Sequence, residues 1–129
     1  MSHFLRPIFA AVVAAVLLVA GYGAPSDAAA AGRYDGNWSV VINTLRGDCD
    51  RSLRYSVKIV DNRVLPGEQS YRVAGRVSPS GEIRVVVAEA GRSASGIGRL
   101  AGNNGRGEWR TSTGQCAGSW TAVRRANNW

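Results

Sequence analysis

Two cysteines, one lysine, a few carboxylates, three tyrosines and scattered serines and threonines are what the region after residue 31 offers to covalent or metal chemistry. The single histidine, His3, and the single methionine, Met1, both stand at the extreme start of the 129-residue chain. Without a histidine further on, Ser-His-Asp and Cys-His arrangements cannot be assembled. Zinc and copper sites built on His and Cys fall for the same reason. Haem iron is held by His, Met, Cys or Tyr, which would leave only Tyr34, Tyr55 and Tyr71, and the last two sit in apolar strand patterns. Lys58 lies on the polar side of such a pattern, where a solvated charge is the plain account. Asp48 and Asp50 flank Cys49 and read as turn residues before they read as a carboxylate pair or a calcium site. Glu89 and Glu108 would need the fold to bring them together. Gly96-Ile97-Gly98 leads into no helix and is strand packing, not a phosphate loop. The expectation is a protein that is not an enzyme and holds no metal and no cofactor.

What remains for the cysteines is each other. Arg6 precedes Ile8–Ala20, thirteen residues without a charge, and small residues follow through Ala28–Ala31. A basic start, a short apolar core and an Ala-x-Ala tail form a secretory signal over residues 1–31. The apolar core is shorter than the ~20 residues of a spanning helix. Export to a periplasmic or secreted location makes a Cys49–Cys116 disulfide the expected state. The rest divides into a domain over 32–125 and a frayed tail over 126–129. From Gly32 onward, fifteen Lys and Arg stand against eight Asp and Glu, a net +7. That balance favours acidic partners, although net charge also simply keeps an exported protein soluble.

The elements that must position these residues are short and alternate in polarity, the mark of an all-β domain. Trp38, Val40, Ile42 and Thr44 share one face. Ser52 to Val60 is the cleanest strand, with Leu53, Tyr55, Val57 and Ile59 opposed to Arg54, Ser56 and Lys58. Asp61-Asn62 is a two-residue hairpin signal, followed by the brief Arg63-Val64-Leu65. Tyr71, Val73 and Val77 then share a face, as do Ile83, Val85 and Val87. Ala94, Gly96, Gly98 and Leu100 make a small-residue register, which would leave room for Trp38, Trp109 and Trp120. Gly107, Trp109 and Thr111 follow, and Cys116, Gly118, Trp120, Ala122 and Arg124 form the last strand. The pattern gives a small antiparallel up-and-down barrel of seven or eight short strands. Parity selects eight: with eight, the two cysteines open strands that begin at the same end of the sheet, and Arg124 arrives beside Trp38.

Gly36-Asn37-Trp38 near the first strand, with Arg124 closing the last, resembles the lipocalin and avidin-like barrels. In those families a Gly-x-Trp tryptophan closes one end of the barrel under a late-strand arginine, so the resemblance implies that role for Trp38 and Arg124. The triplet recurs at Gly107-Glu108-Trp109 and Gly118-Ser119-Trp120. Over nearly the whole exported part, the chain is similar to small exported bacterial proteins of unknown role. The shared elements are Asp35-Gly36-Asn37-Trp38, Cys49-Asp50-Arg51, Gly75-Arg76-Val77, Gly98-Arg99-Leu100-Ala101-Gly102 and Cys116-Ala117-Gly118-Ser119-Trp120-Thr121-Ala122. Such proteins are sometimes described by haem utilisation or adhesion, and the residues here argue against the haem half.

Binding is therefore the expected function, in one of two places. Arg54, Lys58, Arg72, Arg76 and Arg84 fall on the outward register of successive strands and would form a basic face for an anionic glycan, a lipid or an acidic protein. Nucleic acid is not expected. The same outward arginines exclude a membrane-spanning barrel, whose outer band is apolar. The alternative is a carrier with a small apolar ligand lined by Trp38, Trp109, Trp120 and Tyr55, if the interior is not filled by its own side chains. An inhibitor or structural partner of another exported protein is a third reading with no residue signature.

Overall fold

The computed structural model describes residues 32–126. The expected signal segment and residues 127–129 lie outside the described residues. Eight strands follow in order: β1 (Gly36–Arg46), β2 (Ser52–Val60), β3 (Arg63–Pro66), β4 (Arg72–Val77), β5 (Glu82–Glu89), β6 (Arg92–Ala101), β7 (Asn104–Thr111) and β8 (Ala117–Arg124). They pair in sequence order into a closed barrel. All pairings are antiparallel, and β1 meets both β2 and β8. Closure removes the two free edges that a flat eight-strand sheet would expose. Among the described residues no helix is long and apolar enough to cross a membrane.

The alternation that marks the strands also sets their burial. Val57 and Ile59 are buried on β2, Val73 and Val77 on β4, and Ile83 on β5, while Arg54, Lys58, Arg72, Arg76 and Arg84 are exposed between them. The β2–β3 hairpin turns through Asp61 and Asn62 at φ 50° and 66°. Short polar side chains tolerate that left-handed backbone better than others, as the Asp-Asn pair suggested. Asp35 ties this turn to the Gly32–Asp35 turn just before β1, its carboxylate accepting from the amides of Asp61 (2.9 Å) and Asn62 (3.4 Å).

One end of the barrel is closed. Trp38 and Arg124 are direct partners across β1 and β8. The guanidinium lies 5.2 Å from the Trp38 ring centroid. Its Nη1 donates to the carbonyls of Arg33 (3.0 Å) and Asp35 (2.9 Å), its Nη2 to Gly102 (3.1 Å) and its Nε to Asn103 Oδ1 (2.9 Å). Beneath it the Trp38 indole donates to the Tyr34 carbonyl at 2.9 Å. One planar fork thus gathers the turn before β1, the β6–β7 turn and the last strand. Arg124→Met keeps the length and removes every donor. It should lower stability by about 2–3 kcal/mol, since hydrogen bonds from a charged donor are the strong ones. Arg124→Lys should restore little, because an ammonium cannot reproduce the fork. Full recovery of the melting temperature by lysine would show that the charge alone matters.

The other end is where the disulfide sits. Cys49, in the β1–β2 loop, and Cys116, just before β8, are bonded with their Cα atoms 6.1 Å apart. Gly47, at φ +95°, lies under the bridge, where a Cβ would come within 2.8 Å of Cys116 Sγ. The wall is also interrupted on this side. β3 pairs with β2 only over Val57–Val60 and with β4 through just two residues, Arg63 and Val64. Above that, the Ser56 backbone is satisfied by the Gly67 amide (2.9 Å) and by the Tyr71 hydroxyl, which accepts from the Ser56 N–H at 3.0 Å and donates to its carbonyl.

Candidate functional site

Eight strands with interior residues of ordinary size can fill their own barrel; here the interior side chains are very unequal. The registers of β6, β7 and β8 that face inward carry Ala94, Gly96, Gly98, Gly105, Gly107, Gly118 and Ala122. The space over the paired glycines of β6 and β7 is taken by one indole. A Cβ on Gly98 would come within 2.5 Å of Trp120 Cζ2, and one on Gly107 within 2.6 Å of the same ring. Trp120 Nε1 donates to the Ile97 carbonyl at 3.2 Å, which fixes the ring against that wall. The room expected for three tryptophans thus goes to Trp120. Trp109, opposite Gly118 on β8, leans across it, and its N–H reaches the carbonyls of Asn43 and Ser119, each at 3.1 Å.

The outcome is a cavity of about 770 Å³, within the usual range for small-molecule sites of ~300–1,000 Å³. Trp38 and Ile59, each 2 % exposed, form part of its floor. Val40, Ile42, Val57, Val73, Val85 and Val87 supply its walls. All four residues expected to line a ligand do border it: Trp38, Trp109, Trp120 and Tyr55. Trp38 and Trp120 are nevertheless almost wholly covered, so Trp109 is the half-buried indole that a ligand can reach. Because all three indole N–H groups are bonded to backbone carbonyls, the depth of the cavity offers apolar surface without a free indole donor.

Polarity returns at the mouth, beside the disulfide loops. Asp48, Asp50, Glu89, Arg92 and Thr111 border the opening. Tyr55 donates to Glu89 Oε1 at 3.2 Å, and its ring meets Tyr71 edge-on with centroids 5.0 Å apart. Burial first, and then the Glu89 carboxylate, push the Tyr55 hydroxyl above the ordinary phenol range. It therefore stays a donor at neutral pH. Of the carboxylate pairs considered from sequence, Asp48 and Asp50 both border the mouth, whereas Glu89 and Glu108 separate: Glu89 belongs to the mouth, while Glu108 sits on the outer face, opposite Ile97.

Neither a protein-family model nor a curated protein matches this chain.

The expected basic face is spread over the outer wall from β2 to β5. Arg76 and Arg84 are direct cross-strand partners. Arg72 stands opposite Ala88, and Lys58 stands between Asn37 and Leu65. Arg54 faces Val41 and donates to Ser39 Oγ at 3.3 Å. The residue that sequence reasoning left out is Arg63, which is exposed and pairs directly with Arg76. A disulfide is consistent with an oxidising, exported compartment.

Proposed function

We propose that this chain is an exported, non-catalytic carrier, periplasmic or secreted, that holds a small apolar ligand inside the barrel. The observation that carries this reading is the apolar cavity of about 770 Å³, floored at the Trp38–Arg124 end. Its depth is hydrocarbon and its three indole donors are already engaged, so the buried part of the ligand is apolar. A polar group on that ligand would sit at the mouth with Tyr55, Glu89 and Arg92. The basic outer wall is a separate feature, compatible with carrying and not required for it.

A neutral probe such as N-phenyl-1-naphthylamine tests the reading. Its own emission should rise on binding while Trp109 emission falls, with Kd in the micromolar range for a ligand of that size. Val87→Trp, on a half-buried cavity position near the mouth, should fill the space and weaken binding at least about tenfold, a loss of some 1.4 kcal/mol. A wild-type protein that ignores every apolar probe, or a Val87→Trp variant that binds as well as wild type, would overturn the carrier reading.

A further inference from the structure

The registers place five exposed residues in one row across five successive strands. Val60 on β2 pairs with Arg63 on β3, Arg63 with Arg76 on β4, Arg76 with Arg84 on β5, and Arg84 with Ile97 on β6. Neighbouring strands are about 4.8 Å apart, so the row spans roughly 19 Å. Three guanidinium groups thus stand side by side at positions where like charges repel and destabilise the sheet. None of the three forms an ion pair; among the described residues the only one is Arg99–Glu82 at 3.1 Å. The nearest acids on this face lie at its margins: Glu82, already held by Arg99, Glu108 beyond Ile97, and Asp61 and Asp35 at the hairpin below Arg63, Asp35 with its carboxylate taken up by the Asp61 and Asn62 amides.

The row is not merely basic. Val60 is 47 % exposed and Ile97 55 %, and they bracket the arginines. One row nearer the mouth, Leu65 (39 %) and Val86 (52 %) are exposed as well. Aliphatic side chains beside an arginine row suit a surface that offers anionic groups and hydrocarbon together. A nucleic acid offers no acyl-chain layer to receive them, and its single strands are commonly held by exposed aromatic rings; the polar chain of an anionic glycan likewise offers no such layer. On this barrel the tyrosines and tryptophans of the described residues turn inward.

We infer that the outer face of β3–β5, carrying Arg63, Arg76 and Arg84, docks on an anionic lipid surface. The arginines meet headgroup phosphates, and Leu65 and Val86, which stand beside them on β3 and β5, reach the boundary between headgroups and acyl chains. This docking does not depend on the carrier reading, because it uses only the outer wall.

Vesicle co-sedimentation of the 32–129 chain, which contains the whole barrel, its core and its disulfide, tests the inference. Binding should appear on phosphatidylcholine vesicles doped with phosphatidylglycerol, be absent on phosphatidylcholine alone, and weaken with salt. Each arginine near such a surface contributes roughly fivefold. Arg63→Gln/Arg76→Gln/Arg84→Gln should therefore bind about a hundredfold more weakly, and its melting temperature should hold or rise because the repulsion is relieved. Arg106→Gln/Arg110→Gln/Arg125→Gln removes the same charge away from this row and should bind far better than the row variant. Leu65→Ser/Val86→Ser should lose binding several-fold at unchanged charge. The inference is overturned by any of four results: no vesicle binding, equal loss in the two triple variants, no effect of the serine pair, or tighter binding to heparin or nucleic acid than to the vesicles.

Discussion

The double variant Cys49→Ser/Cys116→Ser should unfold with roughly 4 kcal/mol less stability than the oxidised protein. The bridge joins residues 67 apart in sequence, and the chain-entropy account gives about that value for a loop of this length. A domain of this size loses ~4–8 °C for each kcal/mol, so the melting temperature should fall by about 15–30 °C. Reduction of the wild type should produce the same fall, since both treatments free the same loop. The comparison matters because a barrel under ~100 residues has little stability to spare. The two loops concerned are also packed together, with Gly47 lying against the bridge and the Gln115–Cys116 backbone. A fall of only a few degrees in both measurements would mean that the eight-strand ladder alone holds these loops in place.

Gly107→Ala should be strongly disruptive for a change of a single methyl group. A Cβ there would strike the Ile97 carbonyl of the neighbouring strand and come within 2.6 Å of two atoms of the Trp120 ring. Neither obstacle can yield cheaply: the carbonyl receives the Trp120 N–H, and the ring is pinned by that bond. The expected loss is about 3 kcal/mol, the upper end for overpacking a closed core. Gly96→Ala is the control. Its Cβ would meet Val85 Cγ2 at 3.3 Å and Trp120 Nε1 at 3.4 Å, distances that need little adjustment. Removing a glycine from a strand is worth about 0.5–1 kcal/mol, so Gly96→Ala should be close to neutral. Equal losses from the two substitutions would show that Trp120 moves freely and that the glycines serve no packing purpose.

Much of this architecture can be read in the residues. β2 is unmistakable because Leu53, Tyr55, Val57 and Ile59 alternate without a break against polar residues. The count of eight strands follows from parity once the two cysteines are taken as joined. Trp38 and Arg124 then meet as partners, as the resemblance to Gly-x-Trp barrels implies. Stagger is harder to see. β3 touches β4 through two residue pairs only, so alternation in Ser70 to Val77 shows which residues face outward and not which of them stands beside Arg63. The arginine row is invisible for that reason. Volume is harder still, because it depends on barrel radius and strand tilt as well as on the residues facing inward. The glycines signal room, but whether Trp120 leaves any of it empty depends on the hydrogen bond that lays the ring against β6.

The interruption in the wall beside β3 makes the barrel's resistance to opening uneven around its circumference. Elsewhere, parting two staves means breaking a run of peptide hydrogen bonds together, each worth ~1 kcal/mol net. Between the upper halves of β2 and β4 the closure is a single amide, Gly67 on the Ser56 carbonyl, and a phenol, Tyr71, whose hydroxyl hydrogen-bonds the backbone of the same serine. Rotation of that one phenol would leave a lone peptide hydrogen bond to hold the two strands there, so this flank should give way before any fully paired stretch of the wall.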